Sequence, residues 1–499
     1  MADIDTQVAV LGAGPGGYAA AFLAADLGLQ VALIDPEPNP GGVCLYRGCI
    51  PSKALLHVAA QIMESRTAKD RGVDFGNPKI HLHRLNEWKK GVVAKLTGGL
   101  GQLAKQRRIR YLQGTAAFSG HRTLELKQAG GSIKNLSFEH AVIATGSQAR
   151  TLPGGATIDF VMDSSEALEV KSVPQKLLVI GGGYIGLEIG TVYAALGSSV
   201  TLVEMTQGLL PGVDRDLVRV LQKRLEGLFE ALLLGTTVKE MKARKNGITI
   251  VLEGPDGERQ TRIFERALAA VGRSPRTSGL ELENTGVEMD KRGFIRVDAE
   301  QRTSDPSIFA VGDVAGEPML AHKATHEGRT AAEVIAGRKA AFEPAAIPAV
   351  VFTDPEIAWA GLTESEAKSR GIDFAVSHFP WGASGRAATL GRSDGLTKLV
   401  VDPRSERILG VGIAGVGAGE LIAEGVLAIE MGTNATDIGL SIQRNFPSLQ
   451  SSAAEKRHHS KKSKFKSQEW EDSCPAFPFG KSDESQGLRG FFRRRIFPK

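Results

Sequence analysis

Hydrophobic and polar positions follow the same order twice along this chain. Residues 7–35 and 176–204 each contain an apolar run, a glycine-rich turn, a long Ala- and Leu-rich segment and a second apolar run that ends in a carboxylate. An apolar strand, a turn with several glycines, a helix and a second strand form the βαβ unit of a dinucleotide-binding fold. The sequence therefore predicts two such units in one chain.

Further apolar runs predict strands outside the two units. Residues 138–143, 267–271 and 307–311 are expected to form buried strands. From Pro348 the pattern changes to strand segments with helices such as 363–370 and 420–431, which favours a separate α+β domain. The predicted fold class is α/β, with two Rossmann-like dinucleotide-binding domains and a C-terminal α+β domain.

The positive charge of the chain is concentrated at its end. Residues 455–499 contain 12 Lys and Arg but 6 Asp and Glu, whereas the rest has 49 basic and 50 acidic residues. The near-neutral main body gives no reason to expect nucleic-acid binding, and the unpatterned tail is expected to be disordered. Glu420 and Glu424 interrupt the most apolar long stretch, which argues against a membrane span. The N-terminal residues show no signal peptide, so we expect a cytoplasmic protein.

Two of the three cysteines, Cys44 and Cys49, are close in the sequence. Such a pair in an intracellular chain is typical of a catalytic or metal site. Cys49 is predicted to lie just ahead of a helix whose first turn contains Pro51, where the helix dipole and Lys53 favour a thiolate. The alternatives are two buried thiols or half of a zinc site, although no CxxC or nearby histidine supports zinc.

The first unit has glycines where a pyrophosphate would approach. Gly12 permits the tight turn, Gly14 lets the pyrophosphate reach the backbone, and Gly17 lets helix and strand pack closely. Asp35 ends the next strand and can accept hydrogen bonds from a ribose diol. A purely structural glycine-rich turn is the alternative, but the strand, helix and carboxylate together favour nucleotide binding.

The second unit repeats this arrangement with Gly181, Gly183, Gly186 and Glu204. A carboxylate at this strand end binds a 2′-hydroxyl and repels a 2′-phosphate, and residues 205–207 supply no arginine. The sequence thus predicts NAD rather than NADP, with a solvated strand end as the alternative interpretation. Two nucleotide sites indicate two cofactors, and a flavin between a nicotinamide and the cysteine pair would account for both.

The cysteine segment resembles a known family. Gly-Gly-Val-Cys-Leu-Tyr-Arg-Gly-Cys-Ile-Pro-Ser-Lys at 41–53 is similar to the redox-active disulfide segment of dihydrolipoamide dehydrogenases, members of the pyridine nucleotide–disulfide oxidoreductases. The resemblance extends from about residue 7 to about 442 and includes AVGRSPRT at 270–277 and FTDPEIAWAGLTE at 352–364. It implies FAD and NAD as cofactors, with electrons passing from a dihydrolipoyl dithiol through the cysteine pair and FAD to NAD+.

The resemblance also implies roles for single residues. Cys44 would be the interchange thiol, Cys49 the charge-transfer thiolate beside the flavin, and Lys53 would pair with Glu188. The residues expected to bind FAD are Gly12, Gly14, Gly17, Asp35, Lys53, Gly114, Thr145, Gly146, Ser147, Asp313, Met319, Leu320, Ala321 and His322. The residues expected to bind NAD are Gly181, Gly183, Gly186, Glu188, Glu204, Val238, Gly272 and Arg273, and no metal is expected.

Domain boundaries and partners follow from the same resemblance. The expected segments are an FAD-binding domain at 1–150, an NAD-binding domain at 151–274, a central segment completing the FAD site at 275–345, an interface domain at 346–450 and a basic tail at 451–499. The interface domain implies a homodimer. The expected partner is the lipoyl domain or E2 core of a 2-oxo acid dehydrogenase complex.

The resemblance stops where the family carries its acid–base residues. In the family, His-Pro-His-Pro-Thr-Leu-Ser-Glu supplies a catalytic histidine and its orienting glutamate, but here Asn445 and Gln450 stand at those positions. An amide does not accept the proton as an imidazole does. His458 and His459 are interpreted as solvated tail residues, and Cys474 is single, unlike the C-terminal cysteine pair of mercuric reductase.

Two origins of this end are open. A changed reading frame or a substituted end is the favoured hypothesis, and a naturally divergent tail is the alternative. The functional alternatives are another disulfide reductase, similar to mercuric reductase, or an impaired FAD-binding structural subunit of a 2-oxo acid dehydrogenase complex.

Overall fold

The computed structural model describes residues 4–441 except 129–130, 132 and 153–157. Asn445, Gln450, His458, His459, Cys474 and the tail predicted at 451–499 therefore lie outside the described residues. Over the part that is described, every helix is too short or too polar to cross a lipid bilayer.

The first half is a mainly parallel sheet flanked by helices. Its elements are β1 (Ile4–Leu11), α1 (Pro15–Asp26), β2 (Val31–Asp35), α2 (Gly42–Arg47), α3 (Cys49–Thr67), α4 (Leu82–Gln106), β3 (Arg110–Gly120), β4 (Thr123–Gln128), β5 (Ile133–Ile143) and β6 (Ser147–Ala149). Strand β1 lies between β2 and β5, and all three run parallel. The start of β3 pairs with β2, whereas from Gly114 onward it pairs antiparallel with β4. An added Cβ at Gly114 would lie 2.4 Å from the Lys127 carbonyl oxygen, so this crossing requires glycine.

The second half repeats the parallel arrangement. Its elements are β7 (Val161–Met162), α5 (Ser164–Glu169), β8 (Lys176–Ile180), α6 (Tyr184–Leu196), β9 (Ser199–Val203), α7 (Arg215–Leu228), β10 (Ala231–Leu233), β11 (Thr237–Arg244), β12 (Gly247–Glu253), β13 (Arg259–Phe264) and β14 (Arg266–Ala269). The described parallel strands have the order β10-β9-β8-β14-β7, and β11, β12 and β13 form an antiparallel sheet beside them. The interior strands are apolar on both faces, as expected for a parallel sheet covered by helices.

The chain then returns to the first half and finally enters an antiparallel sheet. The remaining elements are β15 (Arg273–Pro275), β16 (Ile308–Ala310), α8 (Ala321–Ile335), β17 (Ala349–Val351), β18 (Glu356–Gly361), α9 (Glu364–Ser369), β19 (Ala375–Pro380), α10 (Gly385–Leu390), β20 (Leu396–Val401), β21 (Ile408–Gly415), α11 (Ala418–Glu430) and α12 (Ala435–Leu440). Strand β15 pairs with β6, and β16 adds to the first sheet beside β5. The last five strands form the sheet β17-β18-β21-β20-β19.

Packing between the halves fixes the helix that carries the second cysteine. Leu55 and Ala59 of α3 belong to the same buried cluster as Val179 of β8 and Leu187 of α6. Burying such aliphatic side chains contributes roughly 1.5–3 kcal/mol each. Helix α3 therefore lies against α6, and residues near the start of both helices face each other.

The predicted strands and helices are present, with small differences at their ends. The strand expected at 267–271 spans Arg266–Ala269, and the strand expected at 307–311 spans Ile308–Ala310. Both end early because a glycine in a left-handed conformation follows within three residues: φ is +105° at Gly272 and +80° at Gly312. Cys49 was expected ahead of its helix but is the first residue of α3, and Pro51 lies in the first turn as predicted.

Candidate active site

A cavity of about 490 Å³ lies where the two halves meet, and most residues predicted to bind FAD line it. The lining includes Gly12, Gly14, Asp35, Lys53, Gly114, Thr145, Gly146, Ser147, Asp313, Met319 and Ala321. Both neighbouring cysteines, Cys44 and Cys49, also line it. The first glycine-rich turn and the cysteine pair therefore share one cavity.

Three glycines shape the nucleotide end of this cavity. Gly12 has φ +96°, and an added Cβ there would lie 2.4 Å from the Ala144 carbonyl oxygen. At Gly17 an added Cβ would lie 1.8 Å from the Gly12 carbonyl oxygen, so only glycine at this position lets the helix pack against the turn. Gly14 is different, because its added Cβ would meet nothing nearer than Gly42 Cα at 4.0 Å. Its open face lets a ligand approach the backbone, while Gly17 acts through packing alone.

The Asp35 carboxylate stabilises the first glycine-rich turn through a hydrogen bond. Its Oδ2 accepts a hydrogen bond from Ala13 N at 2.7 Å, and its Oδ1 accepts one from Glu37 N at 2.9 Å. Burial raises the pKa of Asp35, although these two backbone donors oppose the rise. The carboxylate thus holds the end of β2 against the glycine turn and lines the cavity.

The two cysteines of the pair differ in their electrostatics. Cys44 lies in α2, and Cys49 begins α3 after the N-cap residue Gly48. A hydrogen bond from the Cys44 thiol lowers the pKa of Cys49, and the Lys53 ammonium lowers it further against the effect of burial. The same hydrogen bond, together with burial, raises the pKa of Cys44. Within the reduced pair, these effects favour ionisation of Cys49 over ionisation of Cys44.

Lys53 is held by a carboxylate from the other half. Its Nζ lies 2.8 Å from Glu188 Oε2 and 3.1 Å from Oε1. Glu188 also accepts hydrogen bonds from Ser52 Oγ at 2.8 Å and from Phe352 N at 3.0 Å. Its side chain is only 5% exposed, against 35% for Lys53. This confirms the predicted contact between Lys53 and Glu188 and adds two donors that the sequence did not indicate.

A second chain of contacts joins the halves at the pairing of β6 and β15. Arg273 donates from Nε to Ser147 Oγ at 2.7 Å and from Nη2 to the Ser147 carbonyl oxygen at 2.8 Å. Ser147 Oγ in turn donates to Asp313 Oδ2. Arg273, predicted for the NAD site, therefore contacts Ser147 of the predicted FAD site and is linked through Ser147 to Asp313.

The second glycine-rich turn repeats the first but lies outside this cavity. Gly181 has φ +111°, and an added Cβ at Gly186 would lie 2.2 Å from the Gly181 carbonyl oxygen. At Gly183 an added Cβ would meet no atom within 4 Å, so this position is open. Gly182 N donates to Glu204 Oε2 at 2.7 Å, and Thr206 donates from N and Oγ1 to Oε1, each at 2.8 Å.

Helix α6 connects this second turn to the cavity. Tyr184, Ile185 and Glu188 of α6 line the cavity together with Arg273. Burial raises the pKa of Tyr184 to about 12, so its hydroxyl stays protonated at neutral pH. The first turns of α6 thus extend from the second glycine motif to the cavity that the cysteine pair also lines.

Several predicted residues do not line the cavity. They are Gly17, Leu320 and His322 among the FAD predictions and Gly181, Gly183, Gly186, Glu204, Val238 and Gly272 among the NAD predictions. His322 Nε2 contacts the Pro348 carbonyl oxygen at 2.7 Å, and burial lowers the pKa of this imidazole. Val238 lies in β11, packed partly buried against the cluster around Ile248 and Ile250.

Sequence reasoning missed Ser52, Phe352 and Tyr184 as members of the site. Ser52 and Tyr184 lie inside the two motifs but were not assigned a role there. Phe352 belongs to a conspicuous segment, FTDPEIAWAGLTE, which carried only the family resemblance. Only the three-dimensional structure shows their part in the site. Ser52 and Phe352 each bond Glu188 across more than a hundred residues of sequence, and Tyr184 lies where the two halves meet.

Comparisons with known proteins agree with this geometry. Residues 6–328 match the family Pyridine nucleotide-disulphide oxidoreductase, and residues 347–455 match the dimerisation domain of the same family. A dihydrolipoyl dehydrogenase from Vibrio cholerae is 47% identical over 451 residues, which cover 90% of this chain and 94% of the relative. A dihydrolipoyl dehydrogenase from Thermus scotoductus is 46% identical over 435 residues, covering 87% and 93%.

Solved structures show the same likeness. LpdA from Mycobacterium tuberculosis superposes with a TM-score of 0.83 at 25% identity, covering 91% of this chain and 99% of that one. The HOCl-induced flavoprotein disulfide reductase RclA from Escherichia coli gives a TM-score of 0.78 at 28% identity, covering 90% and 98%. The fold of this chain thus has a counterpart along nearly the whole of both proteins.

Proposed function

The chain belongs to the pyridine nucleotide-disulphide oxidoreductase family, and we propose that it acts as a dihydrolipoyl dehydrogenase with FAD and NAD. The observation that carries this proposal is the shared cavity, which brings the first glycine turn, the Cys44–Cys49 pair and Glu188 of the second unit together. Curated relatives of that name cover most of the chain and support the same activity. They do not favour a mercuric reductase or a purely structural subunit.

The residues present fit the two nucleotides. For FAD, the open face of Gly14 and the Asp35 carboxylate offer sites for the pyrophosphate and ribose, and the cysteine pair lies in the same cavity. For NAD, Gly183 is open and Glu204 ends the strand beside it, with no arginine at 205–207. FAD, when bound, supplies a two-electron carrier between the thiols and the nicotinamide.

The cysteine pair performs the exchange with the dithiol substrate. In the oxidised enzyme, a substrate thiolate attacks Cys44 of the Cys44–Cys49 disulfide, so that a mixed disulfide forms and Cys49 leaves as a thiolate. The second substrate thiol then loses its proton and attacks the substrate sulfur of the mixed disulfide, so that the cyclic disulfide product forms and Cys44 leaves as a thiolate, which takes up a proton. The Cys44 hydrogen bond, the start of α3 and Lys53 stabilise the Cys49 thiolate.

The nucleotide side depends on contacts between the two halves. We propose that Glu188 keeps Lys53 beside the thiolate and that Arg273, Ser147 and Asp313 align the FAD and NAD sites with each other. Thr145, Gly146, Gly114, Met319, Leu320, Ala321 and His322 stay predictions for FAD, as Val238 and Gly272 do for NAD. The boundaries 1–150, 151–274, 275–345 and 346–450 are proposed as the corresponding domains.

The assembly follows in part from the family. The dimerisation domain match supports a homodimer. We propose in addition that the dithiol is carried by the lipoyl domain of a 2-oxo acid dehydrogenase complex, bound through its E2 core. A cytoplasmic location is proposed on the same grounds.

Turnover tests this proposal directly. The protein is reconstituted with FAD and given dihydrolipoamide and NAD+, and NADH formation is followed by absorbance. We expect NADH formation that requires the dithiol and is absent in Cys44→Ser. Flavin that is reduced by neither dihydrolipoamide nor NADH would contradict the proposal.

A further inference from the structure

The Lys53 ammonium has a neighbour that neither glycine motif supplies. Its Nζ lies 4.4 Å from the centroid of the Phe352 ring, the shortest cation–π distance among the described residues. Phe352 directly follows β17 and therefore belongs to the C-terminal α+β sheet rather than to either nucleotide-binding half. A ring at this distance attracts the ammonium through its negative face.

The ring and the backbone of Phe352 hold the two partners of one ion pair. Its backbone N donates to Glu188 Oε1 at 3.0 Å, while its ring contacts Lys53. The Lys53 side chain is 35% exposed, so Glu188 alone leaves it room to move toward solvent. The ring covers the ammonium on a second side and restricts that movement.

The position of Lys53 matters because Cys49 depends on it. The Lys53 ammonium is one of the groups that lower the pKa of Cys49, after the hydrogen bond from Cys44. Glu188 acts in the opposite direction on the same thiol. Cys49 and Lys53 also lie about one helical turn apart at the start of α3 and line the same cavity, so the charge on Cys49 depends on how closely Lys53 is kept near the sulfur.

Phe352 is itself fixed by the C-terminal sheet. An added Cβ at Gly419 would lie 3.5 Å from Phe352 Cε1, so the ring lies beside the first turn of α11. Gly419 N donates to Glu356 Oε2 at 2.8 Å, which joins α11 to the start of β18. The same helix and its C-cap carry Leu427 and Met431, which are 63% and 71% exposed in the single chain.

We propose that Phe352 is a positioning residue through which the C-terminal domain holds Lys53 near Cys49 and so favours the Cys49 thiolate. This inference rests on the proposed function, since it needs Cys49 to be the thiolate beside the flavin. It adds a contribution from the dimerisation domain to a redox centre that otherwise consists of residues from the two nucleotide-binding halves.

The test exploits the separation between ring and backbone. Phe352→Leu and Phe352→Met remove the ring but keep the amide that bonds Glu188, and Phe352→Tyr keeps both. Phe374→Leu is the matched control, because Lys368 Nζ lies 5.9 Å from the Phe374 ring in the same domain. Each variant is isolated as FAD-loaded dimer and reduced anaerobically with dithiol, and its long-wavelength thiolate–flavin absorbance is titrated with pH.

The non-aromatic variants are expected to titrate at higher pH than the parent. At a fixed pH below the midpoint, their thiolate signal should fall about two- to fivefold, as expected for the loss of a partly exposed cation–π contact. Phe352→Tyr should restore the parent titration, and Phe374→Leu should leave it unchanged.

The contradicting outcomes are distinct. An unchanged midpoint in Phe352→Leu and Phe352→Met, or an equal shift in Phe374→Leu, would overturn this inference while leaving the proposed function intact. A parent protein that gives no thiolate–flavin absorbance would overturn the assigned role of Cys49 and this inference with it.

Discussion

The turn at Gly12 and the turn at Gly181 are built alike. Both glycines are left-handed, with φ of +96° and +111°, and both turns donate a backbone N–H to the strand-end carboxylate at 2.7 Å. The third glycine of each motif is forced by a backbone oxygen, since added Cβ atoms at Gly17 and Gly186 would lie 1.8 Å and 2.2 Å from one. The local geometry of the two units is therefore nearly the same.

The helices that follow these turns differ in what they carry. Helix α1 packs on α8 so closely that an added Cβ at Gly328 would lie 2.2 Å from the Gly16 carbonyl oxygen, and it contains no charged residue before Asp26. Helix α6 instead carries Tyr184 and Glu188 into the shared cavity. The second helix, unlike the first, thus places a carboxylate against Lys53, in the cavity that the cysteine pair also lines.

Replacing Cys49 should have the largest effect, because it removes dithiol oxidation and leaves both nucleotide sites unchanged. In Cys49→Ser, dihydrolipoamide oxidation is expected to fall to background, because no disulfide can form. Reduction of an artificial electron acceptor by NADH should persist, since both glycine turns are unchanged. The two activities are measured on FAD-loaded protein, and equal loss of both would mean that the units do not work independently of the pair.

The chain end offers the next largest effect. Asn445→His with Gln450→Glu is expected to raise lipoamide turnover about 10²–10⁴-fold, the usual contribution of a general base. NADH-dependent reduction of an artificial acceptor should change little. Both assays are run on dimeric, FAD-loaded protein, and an unmodified chain that already turns over lipoamide as fast as the repaired one would show that these two amides are no lesion.

The strand-end carboxylates should show that the two units bind different nucleotides. Glu204→Ala is expected to weaken NADH binding about 10- to 100-fold, the loss expected for hydrogen bonds to a charged group, and to narrow the preference over NADPH. Asp35→Ala is the matched change in the first unit and should lower FAD retention. Flavin reduction by each nucleotide and FAD content are measured for both variants. If Glu204→Ala lowered FAD retention and Asp35→Ala weakened NADH binding, the assignment of the two units would be reversed.

The smallest effect concerns a contact that only the second unit has. Thr206 Oγ1 lies 2.8 Å from Glu204 Oε1 and 2.9 Å from the Gly208 carbonyl oxygen, and its one hydrogen can serve only one of them at a time. Asp35 has only a backbone N–H at the equivalent place. Thr206→Val should weaken NADH binding about two- to tenfold through looser orientation of Glu204. Titration of NADH binding checks this, with tighter binding as the contrary result.

Short-range patterns predicted both units well. Glycine spacing and strand-end carboxylates have local causes, such as the left-handed turn at Gly12. The turns at Gly12 and Gly14, the carboxylate of Asp35 and the strand–helix–strand succession of each unit could therefore be derived from sequence. Contacts such as Phe352 with Lys53 or Arg273 with Ser147 join residues far apart in sequence. No periodicity encodes them, because they depend on how three distant segments of the chain pack together.

The prediction about the C-terminal acid–base residues rests on a family motif and not on a local sequence pattern. Asn445 and Gln450 were singled out by comparison with a family motif and lie outside the described residues. Their effect on turnover stays a prediction that the repaired variant tests. Nothing in the two nucleotide units depends on it.

Anaerobic reduction by NADH tests most directly whether the two units serve one redox centre. One equivalent of NADH is added to oxidised, FAD-loaded protein, flavin absorbance is followed, and thiols at Cys44 and Cys49 are then counted by alkylation and mass spectrometry. The account predicts that the oxidised-flavin absorbance falls only transiently, because the reduced flavin passes its two electrons to the disulfide, and that both thiols have appeared when this absorbance returns. Consumption of NADH with the Cys44–Cys49 disulfide left intact, or a flavin that NADH does not reduce, would contradict it.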